Sequence, residues 1–242
     1  MRLQAYLARS GAAPSRRKAE ALIHSGRVEV NGVPAGIGAG VEPGDRVLLD
    51  GEPVELPAEH AYLALNKPVG YLTTLKDEPG SPRRAPRPTV SRLMPTVPGL
   101  VPVGRLDLET TGLLLLTNDG PFAHRMTHPS YEVEKVYQVT VEGHAPEEPL
   151  EALAAGPALD DGPMLSPGLD GVDRRPGETS FRLTIHEGRN RIVRRACAAV
   201  GLRVTALHRL RVGPVELGEL PPGQHRPLKP RELAGLPFEG LP

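Results

Sequence analysis

Apolar residues along this chain follow two rhythms. Near the N-terminus they recur every three or four positions, as Leu3, Tyr6 and Leu7 and then as Ala19, Leu22 and Ile23. That spacing predicts two short amphipathic helices. Gly11 stops the first as a C-terminal cap would; Pro14-Ser15 opens the second, with Ser15 as its N-cap, and Gly26 ends it. The rhythm then becomes alternation. Arg27-Val28-Glu29-Val30 predicts a strand, Asn31-Gly32 a tight hairpin turn, and Arg46 to Leu49 another strand. Two helices and a few small strands bury too little apolar surface to be very stable alone.

From Glu52 to His60 the pattern loosens around two prolines, which predicts a linker. Strand-like Tyr62 to Leu65 begins a larger part and runs into a turn at Asn66-Lys67-Pro68-Val69-Gly70. The stretch KDEPGSPRRAPRPTV, with four prolines and with Arg83, Arg84 and Arg87, reads as a long exposed loop. Leu113 to Leu116, between Gly112 and Asn118-Asp119-Gly120, is the most apolar run of the chain. So short a run predicts a strand covered on both faces. Lys135 to Val141 alternates, with Val136, Gln138 and Thr140 on one side and Tyr137, Val139 and Val141 on the other. Pro146 to Leu159 reads as a helix, and Phe181 to Ile185 as a strand turned at Gly188. Asn190 is placed to cap a helix from Arg191 to Val200 that Gly201 closes, before an extended basic stretch from Arg203 to Val212. Strands outnumber helices and often adjoin one another. This predicts an α+β fold rather than a doubly wound one, divided into residues 1–58 and 59–242.

Composition narrows the classes. Hydrophobic residues make up 39% and charged residues 24%, ordinary for a protein with a packed core. The one cysteine, Cys197, leaves no internal disulfide and no Cys-rich zinc site, and fits a reducing cytoplasm. No stretch approaches the roughly 20 apolar residues of a membrane span, and the polar start MRLQAYLARSG does not read as a signal peptide. The eight histidines show no metal-ligand spacing, and GIGAGVEPG lacks the last glycine of a dinucleotide fingerprint. Neither a metal nor a cofactor is therefore expected.

Formal net charge is zero, but its distribution is uneven. Residues 1–31 carry Arg2, Arg9, Arg16, Arg17, Lys18 and Arg27 against Glu20 and Glu29. Residues 186–211 carry seven arginines against Glu187 alone, while the segment from Glu147 to Glu178 is acidic. Two basic segments in a neutral chain suggest a polyanion as partner. Arg191, Arg194 and Arg195 also crowd the start of a predicted helix, where cations oppose the dipole. They would be compensated by phosphate or by a carboxylate.

The knot of charge in GRLDLETTGLLLLTNDG, with Arg105, Asp107 and Glu109 directly before the apolar strand, admits two readings. Asp-Leu-Glu-Thr is good turn or N-cap chemistry. Alternatively, Asp107 is a reactive carboxylate on a rigid mount, kept ionised by an arginine such as Arg194, with Tyr137 as a flat wall for a nucleobase. Glu109 reads as a solvated turn residue.

Four motifs in order, KPVGY at Lys67, GRLDLETTGLLLLTNDG at Gly104, HPSYEVEKVYQV at His128 and EGRNRIVRRACAAVG at Glu187, resemble the pseudouridine synthases of the RsuA/RluB type. Residues 2–32 resemble the S4 RNA-binding domain that this family carries in front. The resemblance implies an enzyme that isomerises a uridine of ribosomal RNA without a cofactor. Asp107 matches its catalytic aspartate, Tyr137 the tyrosine that packs on the target base, Arg194 the arginine paired with the aspartate, and Leu207 an apolar residue of the pocket. Arg105, Lys67, Lys135, Arg189 and Arg191 are the further expected substrate contacts. In the front unit, Arg2, Arg9, Ser15, Arg16, Arg17, Lys18, Arg27 and Asn31 are the expected RNA contacts. Ile192 and Ala196 depart from the family, which often has Gln and Met there. A monomer working on ribosomal RNA or a subunit precursor is expected, with no membrane and no obligate protein partner. The competing readings are a non-catalytic RNA-binding assembly factor, and a metal-dependent phosphoesterase using Asp107 and Glu109.

Overall fold

The computed structural model describes residues 1–75 and 86–236. Residues 76–85 of the Pro/Arg-rich loop, including Arg83 and Arg84, lie outside them. The chain divides into two compact units, one of residues Met1–Tyr62, Pro95–Val101 and Leu116–Phe122, the other of Leu63–Met94, Pro102–Leu115 and Ala123–Pro242.

The first unit opens with helices α1 (Leu3–Arg9) and α2 (Arg16–His24). The Ser15 hydroxyl accepts from the Lys18 amide at 3.3 Å, the capping bond its position predicts. Strands β1 (Val28–Val30), β2 (Val33–Pro34), β3 (Val47–Leu49) and β4 (Glu52–Pro53) form an antiparallel sheet ordered β2-β1-β3-β4. Val30 pairs with Val33 across Asn31 (φ 53°) and Gly32 (φ 79°). These are the positive dihedrals that a two-residue hairpin of matching twist needs. Leu3, Leu7, Ala19, Ile23, Val28 and Val47 close a small core. β4 occupies the start of the expected linker, since Glu52 and Pro53 pair with Leu49 and Leu48. The segment Leu116–Phe122 joins this unit through polar anchors. Thr117 Oγ1 donates to the Ala61 carbonyl at 2.7 Å, the Ala61 amide donates to Asn118 Oδ1 at 2.8 Å, and the Tyr62 hydroxyl donates to Asp119 Oδ2 at 2.9 Å. The Thr-Asn-Asp that follows the leucines is therefore structural.

The larger sheet is built from β5 (Tyr62–Lys67), β6 (Val101–Val103), β7 (Thr110–Thr117), β8 (Lys135–Glu142), β9 (Gly168–Arg175), β10 (Glu178–Ile185), β11 (Val204–Val212), β12 (Val215–Glu216) and β13 (His225–Pro227). Its order is β13-β5-β7-β11-β8-β10-β9, with β12 paired to β11 and β6 to β7. β11 runs antiparallel to β8 and parallel to β7, and β8, β10 and β9 are antiparallel neighbours. Helices α3 (Gly120–Thr127), α4 (Glu147–Ala154), α5 (Ile192–Ala199) and α6 (Pro230–Ala234), and 3-10 turns at Val90–Leu93 and Pro129–Tyr131, complete the described elements. Leu113 to Leu116 are all buried, as a strand covered on both faces requires. Among the described residues no helix is long and apolar enough to cross a membrane.

Some elements differ from the sequence reading. Asn66 and Lys67 extend β5 rather than forming a turn. α4 stops at Ala154, because Gly156 takes φ 84° ahead of Pro157, a residue that disfavours helix before it. Asn190 does not cap α5; Arg191 holds the N-cap position at φ 49° without a side-chain capping bond. β9 went unread because it is a polar edge strand, largely exposed and without apolar alternation.

Candidate active site

The turn that carries Asp107 is tied down on both sides. Thr73 Oγ1 donates to the Leu106 carbonyl at 2.7 Å and accepts from the Leu106 amide at 3.2 Å. The Thr110 amide donates to the Asp107 carbonyl at 3.1 Å, and the Gly70 amide to the Leu108 carbonyl at 2.9 Å. Beneath them Lys67 Nζ donates to the carbonyls of Pro68 and Asp107 at 3.1 Å and of Thr110 at 2.9 Å. Lys67 was expected to bind substrate, but it is 0% exposed. A cation on a strand buried throughout its length meets backbone carbonyls, not solvent. Burial pushes its pKa down to about 8, against the opposing pull of the Asp107 and Glu109 carboxylates.

The arginines take other partners than the sequence suggested. Arg191, not Arg194, faces the Asp107 carboxylate, with Nη1 3.7 Å from Oδ2 and 3.1 Å from Glu109 Oε2. The αL conformation at Arg191 breaks the helical path there and aims this side chain at the turn. Arg194 reaches the same turn through the backbone, donating weakly to the Glu109 carbonyl at 3.4 Å and to the Val204 carbonyl at 3.4 Å. Its Nε is buried without a partner. Glu109 is thus a partner of Arg191 rather than a merely solvated residue. That hydrogen bond holds the Glu109 carboxyl below its ordinary pKa. Arg195 and Arg189 both bind Asp161, at 2.6 and 2.7 Å, and Arg189 also binds Glu187 at 2.6 Å. The bond to Arg195 is the main cause that lowers the Asp161 pKa to about 2. Carboxylates of the chain therefore offset much of the positive charge around α5. Ile192 and Ala196, the two departures from the family pattern, are buried on the inner side of α5.

Asp107 borders a cavity of about 330 Å³ that is lined by Tyr137, Lys135, Leu207 and Arg209, and also by Arg105, Arg189 and Arg191. Tyr137 is buried on β8 and pairs across the sheet with Arg209 on β11. Lys135 Nζ donates to the Val133 carbonyl at 2.7 Å; burial, and then the charge of Arg209, bring its pKa down to about 8. Arg105 is exposed at the cavity. Arg194 does not line it. Arg209 went unrecognised in sequence, where it is one arginine among seven. Its signal is the period of two that sets it on the same strand face as Leu207.

The expected RNA contacts of the front unit separate into two groups. Arg16, Arg17 and Lys18 stand exposed on α2. The others have work inside the unit. Ser15 caps α2, and Arg27 pairs with Asp50. Asn31 donates to Asp45 at 2.8 Å and accepts from the Arg46 amide at 2.9 Å. Arg2 donates to the Gly38 carbonyl at 2.5 Å, and Arg9 meets His60 Nε2 at 2.9 Å. Among the described residues no three His, Cys, Asp or Glu side chains cluster as metal ligands would.

Residues 61–199 match the sequence pattern of RNA pseudouridylate synthases, and residues 1–47 that of the S4 domain. An RNA pseudouridine synthase of Mycobacterium tuberculosis is 47% identical over 238 residues, covering 98% of this chain and 92% of that protein. The ribosomal large subunit pseudouridine synthase B of Bacillus subtilis is 40% identical over 240 residues, covering 97% of this chain and 95% of that one. Among solved structures, a pseudouridylate synthase crystal structure aligns with TM-score 0.68 and 33% identity, over 98% of this chain and 99% of that one.

Proposed function

The chain belongs to the RNA pseudouridylate synthase family, and on that premise we propose that it converts a uridine of ribosomal RNA to pseudouridine with Asp107 as the catalytic carboxylate. The observation that carries the assignment is a carboxylate on a backbone-clamped turn, at the edge of a cavity that also holds a buried tyrosine. Ribosomal RNA as substrate is taken from the large-subunit relative and from the S4 domain in front. Residues 1–58 serve as the RNA-docking part and 59–242 as the catalytic part.

The reaction breaks the N1–C1′ bond, turns the base and joins C5 to C1′. The target base leaves its stack to enter the cavity, while exposed cations hold flanking phosphates. Arg105 is suited to such a contact at the mouth, where Arg189 and Arg191 also lie. Asp107 acts at the sugar, as nucleophile at C1′ or as base for the C2′ proton. Arg191 faces its carboxylate, and Arg194 and Lys67 hold its turn in place. Tyr137 and Leu207 pack against the freed uracil and limit its escape. Exclusion of water protects the detached intermediate.

The test is tritium release from ribosomal RNA labelled at uridine C5. Wild-type protein releases it. Asp107→Asn abolishes release while binding the same RNA and melting at nearly the same temperature. Full release by that variant overturns the assignment.

A further inference from the structure

Arg209 has no role in the mechanism so far, yet its setting demands one. It is 5% exposed, and no carboxylate among the described residues pairs with it. Its Nε donates to the Leu113 carbonyl at 2.7 Å, which fixes the guanidinium on the strand behind Asp107. Its Nη1 has only a long contact, 3.5 Å, to the Tyr137 hydroxyl, and the guanidinium carbon lies 6.0 Å from the Tyr137 ring centre. Lys135, two residues before Tyr137 on the same strand face, lines the same cavity and donates to the Val133 carbonyl. Among the described residues, these two cations of one cavity therefore meet only backbone carbonyls and one distant hydroxyl. Burying charge in this way is costly unless an acceptor arrives to meet it.

We propose that Arg209 donates from its Nη groups to a carbonyl oxygen of the target uracil and stabilises the base as it detaches from the sugar. This rests on the reading that the cavity receives a uridine with Tyr137 against its face. The base, rather than a phosphate, is the fitting partner because of depth. Arg209 is buried at the level of the tyrosine ring, whereas the more exposed Arg105 and Arg191 lie where a backbone would pass. When N1–C1′ breaks, its electron pair stays on the uracil and spreads to O2 and O4. A fixed guanidinium binds those oxygens more strongly in that state than in the bound nucleoside, which is the condition for accelerating the step. C5 then bonds to C1′, the C5 proton leaves and N1 regains one. Arg209 transfers no proton, and no co-reactant is required.

The experiment uses full-length protein and an RNA fragment around the uridine that the wild type modifies in the tritium assay. The fragment is made with uridine, 2-thiouridine or 4-thiouridine at that position, sulfur being the poorer acceptor. Under single turnover, Arg209→Gln is expected to slow the reaction by about 100-fold, with RNA affinity unchanged. One of the two thio substrates is expected to slow the wild type and leave Arg209→Gln no slower, the non-additivity of groups in contact. If Arg209→Gln does not fold, Arg209→Lys is scored on the same non-additivity. A loss confined to RNA affinity would assign Arg209 to a phosphate instead, and an unchanged rate or fully additive thio effects would also overturn the proposal. Wild-type protein that releases no tritium from any ribosomal RNA fails at the earlier reading and takes this one with it.

Discussion

Lys67, expected from the sequence to touch the substrate, lies inside the protein instead. Its ammonium serves the backbone carbonyls of Pro68, Asp107 and Thr110, with a longer contact of 3.5 Å to that of Leu108. Lys67→Met would remove those bonds from the interior, at about 1–3 kcal/mol for each carbonyl left unsatisfied, although the Asp107 carbonyl keeps the Thr110 amide. The expected outcome is a clear fall in melting temperature and in isomerisation, with RNA affinity retained. A neutral amine has one hydrogen fewer for those carbonyls and no positive charge. Since the Lys67 pKa lies at about 8, the rate is expected to decline as pH rises through that value. Lys135 titrates in the same range, so Lys135→Gln is the control. The decline persists in that variant if it reports on Lys67. Cys197, by contrast, is a packing residue: burial drives its pKa up to about 12, and native protein should not react with thiol reagents at neutral pH.

At the scale of elements, the site depends on the close approach of β7 and β11. Gly112 pairs with Arg209 at φ 100°, and a Cβ there would lie 2.3 Å from the Arg209 carbonyl oxygen. Gly112→Ala is therefore expected to force the two strands apart as well as strain the backbone, by about 1–3 kcal/mol for the dihedral alone. Thermal unfolding would show a marked loss, and the rate should fall as Asp107 and Arg209 lose their register. Leu114→Ala removes a fully buried side chain from the same strand and should cost about 2–5 kcal/mol. Its effect on catalysis should be smaller, since it leaves the backbone spacing intact. α5 makes a second point at this scale. The unusual crowd of arginines around it is explained by Asp161, Glu187 and Glu109 as readily as by RNA. Two of those carboxylates stand far away in sequence, Glu109 by 82 positions from Arg191 and Asp161 by 34 from Arg195.

For the whole molecule, net charge says nothing, and the placement of charge says a good deal. Arg16, Arg17 and Lys18 stand exposed around the first turn of α2, as phosphate contacts of an S4 domain would. Reversing two of them, Arg16→Glu with Arg17→Glu, should weaken binding to the ribosomal RNA fragment. It should also flatten the dependence of log affinity on log salt by about the share of two phosphates. The single-turnover rate at saturating protein should not change, because these residues are absent from the cavity. A reduced rate at saturation would show that α2 shapes the chemistry as well as the affinity.

By itself the sequence determined the helices of the front unit, its Asn-Gly hairpin, the buried leucine strand and the family. Each of these depends on local spacing or on a run of residues in order. Asp107 and Tyr137, which line one cavity, could be picked out as candidates for the same reason, each being embedded in a motif. Tertiary structure decided which arginine faces Asp107, that Lys67 lies inside rather than at the surface, and that Arg209 lines the cavity with no carboxylate paired to it among the described residues. Those outcomes turn on partners far apart in the chain, brought within hydrogen-bond reach only by strand register and by one left-handed residue before α5. A pattern along the chain records which side of a strand a residue takes. It does not record which charge waits on the other side.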